Sequence, residues 1–391
     1  MSRFPLARLG VLILVLFTAC GNPPPALSPA PLPTLSLPTA TALPLPSATP
    51  TVTPSPHPPS PTPDPALNPL TGLPAPHPEL LRHRPVAIKI TNFPRYVRPQ
   101  SGLSRADVVF EYYIEAALTR FIAVFYGDEA ERVGPVRSGR YFDAHVARMF
   151  QSFFVFKFAD PRVMDYLLHS DLAPYLLVIE QGECPPFALG KNTFDNYNNV
   201  FFDLVKFRQV CTARMPAEDR PPDFRPLAFD PTPPRGAAGV RISIRYSDDS
   251  YHFWSYDPQS GRYQRYQETA DTRQGKPEAY APLTDALDGR PILADNVVVL
   301  FVRHTFANRF DKDDEVFQIE LEGFGPAVLF RDGIAQEGFW HRDETYQPLR
   351  LTDAYGDPLP LRPGVTFYQV LGLSSRYWSA ADGWHFIFQF P

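Results

Sequence analysis

The chain has 391 residues, of which 44% are hydrophobic and 14% aromatic, and its formal net charge at pH 7 is -5. This length exceeds what one average domain needs, and the apolar share is sufficient for packed cores, so we expect two compact domains and a tail. The weakly acidic balance, with no dense basic run, excludes a general nucleic-acid binder.

The first twenty residues have the pattern of a secretory signal. Arg3 and Arg8 lie around the start of an apolar run that is too short to cross a bilayer, and small residues then lead to Cys20. The Thr-Ala-Cys-Gly ending resembles a bacterial lipobox, in which the cysteine is lipidated and becomes the mature N-terminus. We therefore predict a lipoprotein signal peptide over residues 1–20 and a lipid anchor on Cys20 that holds the protein at the extracytoplasmic face of the cell membrane. The alternative is an ordinary signal peptide with an incidental cysteine.

Proline dominates the segment that follows. Of the 47 prolines in the chain, 17 lie between Pro23 and Ala66, interleaved with Ser, Thr, Ala and Leu. Proline lacks a backbone N–H donor, and the segment has few side chains that could form a core. We therefore predict that residues 21–66 are a disordered stalk.

Residues 67–215 are predicted to form an N-terminal α+β domain. Three segments have the β-branched and aromatic alternation of strands, at 84–92, 106–114 and 119–126, and the last two form a predicted hairpin. An amphipathic helix is predicted next, with Ser138 as its N-cap. The apolar face of this helix consists of Phe142, Val146, Met149, Phe150 and Phe153.

Charged residues are concentrated in this domain. Asp107, Glu111 and Glu115 are spaced by four residues, which places all three on one face of a strand. Residues 82–140 hold nine arginines and one lysine against six carboxylates, and a helix start flanked by arginines is suited to bind an anion. The candidate ligand-binding or catalytic residues are Arg98, Gln100, Ser101, Asp107, Glu111, Glu115, Arg120, Arg137, Ser138 and Arg140.

Two interpretations of these residues remain open. In the first, Arg98, Arg120, Arg137 and Arg140 surround the carboxylate row and form a polar pocket for an anionic or sugar-like ligand. In the second, the same residues form structural ion pairs that fix the hairpin against the helix, since a guanidinium matches a carboxylate with two parallel hydrogen bonds.

Several segments carry a resemblance to a known family. NPLTG at 68–72, RPVAIKITN at 84–92, RPQSGLSRADVVFE at 98–111 and VGPVRSGR at 133–140 resemble the YerB-like family of bacterial lipoproteins. The Thr119-Arg120 pair also matches. The resemblance implies an N-terminal domain and a distinct C-terminal domain behind a lipobox. It implies no biochemical activity, because the family has none established.

The chain departs from the family pattern at two places. Lys157 opens a Lys-Phe-Ala-Asp segment where the family tends to show a histidine followed by glycines. Tyr197-Asn198-Asn199 stands where the family tends to show Pro-His-Asn. A role of that histidine is therefore not carried over to this chain.

A proline-rich connector is predicted at residues 216–238, and a β-rich domain, a curled sheet or sandwich, at residues 239–391. Turn signals separate ten short alternating runs in the second domain. Five aromatic residues lie near the start of this domain, namely Tyr251, Trp254, Tyr256, Tyr263 and Tyr266. They form either a platform for a sugar or part of the core. The predicted strands are 240–246, 251–256, 262–267, 296–303, 316–321, 327–330, 338–341, 349–352, 365–371 and 384–390.

Cysteines, histidines and short motifs give further expectations. Cys184 and Cys211 are the pair left after Cys20, and in an exported chain they favour a disulfide over two buried thiols. The nine histidines lack metal-ligand spacing, so we predict no metal. A phosphate-binding glycine loop and a Gly-x-Ser-x-Gly turn are absent from the sequence, so we predict no cofactor and leave open whether the protein is an enzyme.

The leading hypothesis is a membrane-anchored lipoprotein that binds an anionic envelope component: a wall polymer, a lipid phosphate or an envelope protein. The alternative is an envelope enzyme acting on a phosphate-linked polymer, with Arg120, Arg137 and Arg140 stabilising phosphate charge and Asp107 or Glu111 as base or metal ligand. That alternative has a weak parallel in the LytR-CpsA-Psr phosphotransferases. A structural scaffold is the third hypothesis.

Overall fold

The computed structural model describes residues 67–179, 183–190, 195, 197–308 and 314–390. These residues belong to one compact unit, Pro61–Pro391. The predicted signal peptide, the lipidation candidate Cys20 and the predicted stalk lie outside the described residues.

The N-terminal half contains seven strands and the three α-helices of the described chain. Its strands are β1 (Val86–Thr91), β2 (Val108–Tyr113), β3 (Thr119–Phe125), β4 (Phe153–Phe156), β5 (Leu176–Val178), β6 (Phe187–Leu189) and β7 (Val200–Phe202). Its helices are α1 (Tyr141–Met149), α2 (Pro161–Leu168) and α3 (Leu204–Lys206), the last continuing into a π-helical turn at Phe207–Cys211.

The C-terminal half contains strands β8 to β22. They are β8 (Ala237–Ala238), β9 (Arg241–Arg245), β10 (Tyr251–Asp257), β11 (Arg262–Glu268), β12 (Tyr280–Pro282), β13 (Leu293–Ala294), β14 (Asn296–Val302), β15 (His304–Phe306), β16 (Phe317–Ile319), β17 (Gly323–Arg331), β18 (Ile334–Arg342), β19 (Arg350–Thr352), β20 (Thr366–Gly372), β21 (Arg376–Ala380) and β22 (Gly383–Ile387). Single 3-10 turns lie at Pro78–Arg82, Arg95–Val97, Leu103–Arg105, Ala173–Tyr175, Thr212–Arg214 and Arg273–Gly275.

Strands from both halves share one large sheet. Its order is β19-β18-β17-β14-β20-β2-β3-β1-β4-β5, with β8 paired to β18. Strand β20 lies between β2 and β14 and runs parallel to both. Hydrogen bonds of the main chain therefore join the two predicted domains through β20.

A second sheet packs against one face of the large sheet. Its order is β12-β11-β10-β9-β22-β21, with β13 paired to β11. Trp254 on β10 meets Phe367 on β20 edge to face, with ring centroids 4.8 Å apart, and Trp384 on β22 meets Phe330 on β17 at 5.6 Å. These contacts between inner faces form a sandwich core, as expected where two sheets pack face to face.

Helix α1 covers the other face of the large sheet near β2. Phe142 on α1 lies 6.0 Å from Phe110 and 4.4 Å from Tyr112, measured between ring centroids. Because β2 has the second sheet on one side and α1 on the other, all of its residues are buried. The near-continuous apolar sequence of β1, β2 and β3 follows from this double covering.

The predicted helix boundaries need two corrections. Ser138 is not the N-cap, because Gly139 still pairs with Ala159 and the helix begins at Tyr141. Its start is stabilised instead by Asp143, which accepts a hydrogen bond from the main-chain N–H of Arg140 at 2.7 Å.

The second correction concerns Phe153, which lies in β4 and not on the helix. The helix ends at Met149, and Gln151 then adopts a left-handed conformation with φ of 47°. Gln151 turns the chain back into the sheet. Phe153, whose position fits the apolar pattern of the helix, therefore belongs to a buried strand.

Each of the three strands predicted in the first domain and the ten predicted in the second corresponds to an observed strand. Strands make up 39% of the structure and helices 14%, which confirms a strand-rich fold with few helices. The prediction missed β4 to β7 in the first half and β8, β12, β13, β15 and β21 in the second. Most of these are two to five residues long and depend on their neighbours for pairing.

Two further predictions concern covalent structure and membrane insertion. Cys184 and Cys211 form a disulfide bond in the structure, with Sγ atoms 2.09 Å apart. Within the described residues, the helices are all too short or too polar to cross a membrane.

Candidate functional site

The candidate residues of the sequence separate into groups with different surroundings. Arg120 lies opposite Tyr112 in the β2–β3 pairing, so both side chains point to the same face of the sheet. The Tyr112 hydroxyl donates to Asp143 on α1 at 2.6 Å, which identifies this face as the one that α1 covers. Glu111 is the residue before Tyr112 in β2 and therefore points to the opposite face of the sheet, toward the second sheet.

The prediction that Asp107, Glu111 and Glu115 share a face is wrong for Glu115. Strand β2 ends at Tyr113, and Ala116 and Ala117 then take positive φ values of 60° and 62°. The alternation of a strand no longer applies beyond its end, and Glu115 turns to the α1 side. There it accepts a hydrogen bond from Arg140 Nε at 2.8 Å.

Five charged side chains meet near the start of α1, and we call them the arginine cluster. Four of them are cationic and one is a carboxylate. They come from the end of β2, the start of β3, the segment before α1 and the end of β4. The cluster consists of Glu115, Arg120, Arg137, Arg140 and Lys157.

Arg140 is the best-paired cation of the cluster. Its guanidinium holds both carboxylate oxygens of Glu115 and donates from Nη1 to the main-chain oxygens of Gly139 at 2.8 Å and Ser138 at 3.2 Å. Burial lowers the pKa of Arg140, but the Glu115 carboxylate outweighs this effect and the net shift is upward. The Glu115 side chain keeps 38% of its surface exposed, so the pair stands at an open edge.

Arg120 is buried and incompletely paired. Its Nη1 donates to the main-chain oxygen of Ser138 at 3.1 Å, and its Nη2 is 3.8 Å from Glu115 Oε1. Burial, then the nearby Arg140 guanidinium and, more weakly, Arg137 lower the pKa of Arg120 to about 9, although the Glu115 carboxylate opposes them. Like charges are therefore crowded around this residue.

Arg137 has free donors. Its main chain continues the sheet, with its N–H donating to Lys89 and its C=O accepting from Lys157, both at 3.0 Å. Its guanidinium lies 4.4 Å above the ring of Tyr197, while Nε and Nη1 are buried without a hydrogen-bond partner among the described residues. Burial lowers the pKa of this side chain.

Lys157 and Tyr197, the two departures from the family pattern, contact each other here. Lys157 Nζ donates to the main-chain oxygen of Tyr197 at 2.9 Å and lies 4.6 Å from the centre of its ring. The guanidinium of Arg137 lies over the same ring. Burial, followed by the charge of Arg137, lowers the pKa of Lys157. The tyrosine ring is thus shared by two cations.

A buried ion pair lies beneath the arginine cluster. Lys89 Nζ donates to Asp143 Oδ1 at 3.0 Å, and both side chains are fully buried. Burial lowers the pKa of Lys89 to about 7, an effect that the Asp143 carboxylate partly offsets. Because the same carboxylate also fixes the start of α1, this pair joins β1, β2 and the helix into one support.

Glu111 and Arg98 belong to a second set, which we call the buried network. It lies between the large sheet and the second sheet, and its members are almost without solvent exposure. Its strands are β1 and β2 of the first half and β10 and β11 of the second half. The network consists of Asn92, Arg98, Glu111, His252, Arg265, Gln267 and Glu268.

Glu111 is the centre of the buried network. Its Oε2 accepts from Arg265 Nη1 at 2.8 Å, and its Oε1 accepts from Thr119 at 2.8 Å and from Asn92 at 3.3 Å. Burial raises the pKa of Glu111, but the charges and hydrogen bonds of its partners, Arg265 first among them, together outweigh burial and the net shift is downward. His252 Nε2 is 3.6 Å from the same carboxylate.

Arg98 is paired in the network and lies apart from the arginine cluster. Its Nη1 and Nη2 donate to the two carboxylate oxygens of Glu268 at 3.0 and 2.7 Å, and its Nε donates to the Asn92 carbonyl at 2.8 Å. Arg265 in turn donates to Gln267 Oε1 from Nε and Nη2 at 2.9 and 2.6 Å. Each acid of the network therefore has its own guanidinium.

Asp107, Gln100 and Ser101 have local partners elsewhere. Asp107 accepts hydrogen bonds from the main-chain N–H groups of Tyr126 and Gly127 at 2.6 and 3.0 Å, although burial raises its pKa to about 7. Gln100 Nε2 donates to the Thr91 carbonyl at 3.1 Å, and Ser101 Oγ donates to the carbonyl of Arg132 at 2.7 Å. These contacts fix loops against the sheet.

Sequence reasoning missed Lys89, Asp143, Arg265 and His252. Lys89 lies between apolar residues in the predicted strand 84–92, a signal for a buried ion pair. Arg265 and His252 gave no such signal, because their strands alternate polar and apolar residues as a half-exposed sheet does. Their burial depends on the second sheet packing onto β2.

The described residues offer no metal site, and the cavity beside the arginine cluster is small. Groups of three or more histidine, cysteine or acidic side chains that could hold a metal are absent from the described residues. The cavity lined by Glu115 and Arg140 has a volume of about 10 Å³. A lipid chain does not fit in such a space.

Comparison with known proteins gives the family. Residues 70–214 match the family described as "Protein of unknown function (DUF3048) N-terminal domain", and residues 242–368 match its C-terminal domain. YerB of Bacillus subtilis (strain 168), which is named as a lipoprotein, is 27% identical over 312 residues, which are 78% of this chain and 85% of YerB. The crystal structure of YerB from Bacillus subtilis is similar with a TM-score of 0.64 and 26% identity, covering 78% of this chain and 96% of that one.

Proposed function

The chain belongs to the YerB-like lipoprotein family, and from this premise we propose that it binds an anionic component of the cell envelope with the arginine cluster. We propose further that a lipid on Cys20 anchors it to the extracytoplasmic face of the membrane. The name of the YerB relative supports the anchor. The geometry at the start of α1 supports the ligand class.

One observation carries the ligand proposal: the arginine cluster holds more positive charge than its own acid can neutralise. Arg120 and Arg140 lie at the carboxylate of Glu115, whereas Arg137 and Lys157 lie over the ring of Tyr197. Unpaired cations in a partly buried site raise the free energy of the folded protein, as the lowered pKa of Arg120 indicates. A bound anion would offset this cost and complete the unfilled hydrogen bonds of Arg137.

The chemistry of the donors favours a phosphate group or a carboxylate. Guanidinium forks match the planar spacing of two oxygens, and Lys157 adds a point charge beside them. The narrow cavity beside Arg140 favours an anion bound at the surface over a lipid with its chain in a channel. A polyanionic wall polymer fits this arrangement better than a membrane lipid.

The predicted stalk points to the same class of target. If residues 21–66 are extended, at about 3.1 Å per residue they reach roughly 140 Å. A shorter, flexible stalk would still hold the site away from the bilayer surface. The arginine cluster would then face the wall.

The acids assigned to an enzymatic role lie outside the arginine cluster. Glu111 is hydrogen-bonded to Arg265 inside the buried network, and Asp107 is occupied by the N–H groups of Tyr126 and Gly127. Glu115 is the acid within the cluster, and both of its oxygens are held by Arg140. Phosphotransfer with Asp107 or Glu111 as base is therefore the weaker hypothesis.

Calorimetric titration of the full chain in detergent tests the proposal. The probes are poly(glycerol phosphate), inorganic pyrophosphate and undecaprenyl phosphate. We expect binding of poly(glycerol phosphate), weakened by added salt because the charges are partly exposed. Arg137→Gln removes the guanidinium with free donors and should weaken binding at least tenfold, about 1.4 kcal/mol.

The control is Arg350→Gln, which removes an exposed arginine paired with Asp343 at 3.2 Å far from α1 in sequence. It should leave binding unchanged. Binding of undecaprenyl phosphate alone would make a lipid the source of the anion. Absence of binding to all three probes, or equal binding by wild type and Arg137→Gln, would show that the arginine cluster is not the site.

A further inference from the structure

The outer face of the second sheet carries an aromatic surface that faces away from the large sheet. In β9, Ile242 and Ile244 are buried toward the core, while Arg241, Ser243 and Arg245 alternate with them on the outer face. The predicted five-residue aromatic platform is divided by the same alternation. Trp254 and Tyr263 are fully buried, and Tyr266 lies on the outer face with Phe253.

Strand pairing places five of these outer side chains in one row. The register joins Trp378 to His385, His385 to Ser243, Ser243 to Phe253 and Phe253 to Tyr266, across β21, β22, β9, β10 and β11. Trp378 and His385 stack with centroids 5.1 Å apart and planes at 12°. Phe253 and Tyr266 stack at 4.6 Å and 7°. Two flat aromatic pairs therefore lie on either side of a serine.

The small side chain of Ser243 leaves a trough between these pairs. Adjacent strands are about 4.8 Å apart, so His385 and Phe253, two strands apart, flank a gap roughly 10 Å wide. A cavity of about 270 Å³ lies beside the Trp378–His385 pair, and its lining includes Arg241, Ser243, Trp378 and His385. Two acids also line it, Glu278, which is paired with Arg245, and Asp382, which is hydrogen-bonded to His385. The lining extends along β9 from Arg241 to Arg245.

Arg241 gives the trough an unpaired positive charge. Its guanidinium lies 3.5 Å above the ring of Phe253 and has no hydrogen bond or ion pair within the described residues, although its charge acts on the nearby Asp382 carboxylate. By contrast, Arg245 is held by Glu278, by Asp248 at 3.3 Å and by Thr272 at 2.9 Å. Arg241 is thus the cation of the trough that can meet an anionic ligand.

We propose that this trough binds an acidic polysaccharide, with a pyranose ring against Trp378 and an acidic substituent on Arg241. Pyranose rings have C–H faces that pack flat on the electron-rich face of an indole, and aromatic faces also hold cations in place. The Trp378 side chain offers such a face, because the residue is 45% exposed on an edge strand. This inference does not depend on the arginine cluster, which lies on the α1 side of the large sheet.

The test uses the full chain in detergent with two defined β-linked oligosaccharides, hyaluronan hexasaccharide as the acidic probe and chitohexaose as the neutral one. Calorimetry should show binding of hyaluronan hexasaccharide with higher affinity than chitohexaose. Trp378→Ala should weaken the binding of both about tenfold. Arg241→Gln should reduce the affinity for the acidic probe to that for the neutral one.

A second variant keeps the test independent of the loss of an aromatic residue. Ser243→Phe fills the trough while Trp378 and Arg241 remain, and it should also abolish binding. The matched control is Phe324→Ala, because Phe324 is 70% exposed and stacks on His341 at 6.0 Å as Trp378 stacks on His385. This control should bind as the wild type does.

Three results would overturn the inference. The first is absence of hyaluronan binding at millimolar concentration, and the second is unchanged binding in folded Trp378→Ala and Ser243→Phe. The third is loss of binding in Arg137→Gln with retention in Trp378→Ala, which would place the acidic sugar at the arginine cluster. Circular dichroism melts of each variant establish that it is folded.

Discussion

The buried network and the arginine cluster are built from the same types of charged side chain, but they balance those charges in opposite ways. In the buried network, Arg98 and Arg265 each have an acid, Glu268 and Glu111, and solvent is absent. In the arginine cluster, Arg120 and Arg140 share Glu115, Arg137 and Lys157 lie over the Tyr197 ring instead, and the site is open at one edge. A charge that water cannot solvate needs a partner of opposite charge. An excess of positive charge is tolerated where water or a ligand can reach the cations.

The comparison also separates structural from functional residues. The network joins strands of the first half to strands of the second and has no spare donors on its two central pairs. The cluster contains the guanidinium of Arg137 with two partnerless nitrogens. A mutation in the network should therefore affect folding, and a mutation in the cluster should affect binding.

The largest expected effect is that of Glu111→Ala on stability. The substitution leaves the fully buried guanidinium of Arg265 without a counter-charge, which costs about 3–5 kcal/mol. Urea denaturation of the full chain measures this free energy of unfolding. The double variant Glu111→Leu with Arg265→Met removes both charges and should be more stable than the single variant.

The exposed pair of Asp343 and Arg350 provides the control. Both side chains are more than half exposed, so Asp343→Ala should change the free energy of unfolding by at most about 1 kcal/mol. If Glu111→Ala cost no more than this control, the buried network would not be a structural element and the contrast with the arginine cluster would fail.

A second prediction concerns the loss of stability at acidic pH. Burial, followed by the charge of Arg265, lowers the pKa of His252 to about 3, an effect that Glu111 partly offsets and to which Arg98 adds slightly. The unfolded chain binds a proton at this histidine below about pH 6.5 while the folded chain does not, so its contribution to stability is complete above that pH. The contribution of His252 to the free energy of unfolding should decrease by about 1.4 kcal/mol per pH unit as the pH falls from 6.5 toward 3.

Thermal and urea unfolding between pH 7 and 4 measure this slope. His252→Gln removes the titrating group and should flatten the slope, whereas His169→Gln, at a side chain that is 77% exposed, should not. A wild-type slope equal to that of His252→Gln would mean that the network does not exclude the proton.

The smallest expected effect is that of Arg137→Gln on stability. The substitution loses the contact with the Tyr197 ring but relieves repulsion from Arg120 and Arg140, so the free energy of unfolding should change by less than about 0.5 kcal/mol. Salt should stabilise the wild type more than the variant, because it screens like charges. A loss of several kcal/mol would make the arginine cluster a structural element like the network.

Much of the fold could be predicted from the sequence. Strands β1 to β3 were evident because β-branched and aromatic residues dominate them, and in the second half each predicted run coincides with a strand. Helix α1 was found but its ends were misplaced. Its start depends on Asp143, a residue inside the helix, and its end on the left-handed turn at Gln151.

The candidate site was predicted only in part. Glu115, Arg120, Arg137 and Arg140 were correctly expected to lie near one another, and Ser138 contributes its carbonyl to two of them. Asp107 and Glu111 were grouped with them because the spacing of four residues was assumed to continue along one strand to Glu115, and Arg98 was grouped with them as an arginine of the same region. The turn at Ala116 and Ala117 breaks that spacing, and the second sheet captures Arg98 and Glu111.

The sequence by itself determined the local features: the strands, the amphipathic helix, the cysteine pair and the concentration of arginine before α1. These follow from side-chain shape, apolar spacing and composition, which act over a few residues. Only the tertiary structure decided which arginine meets which acid, and whether a polar strand such as β11 is buried. Those outcomes depend on β20 joining two halves more than 200 residues apart along the chain, and a short-range pattern carries no information about that pairing.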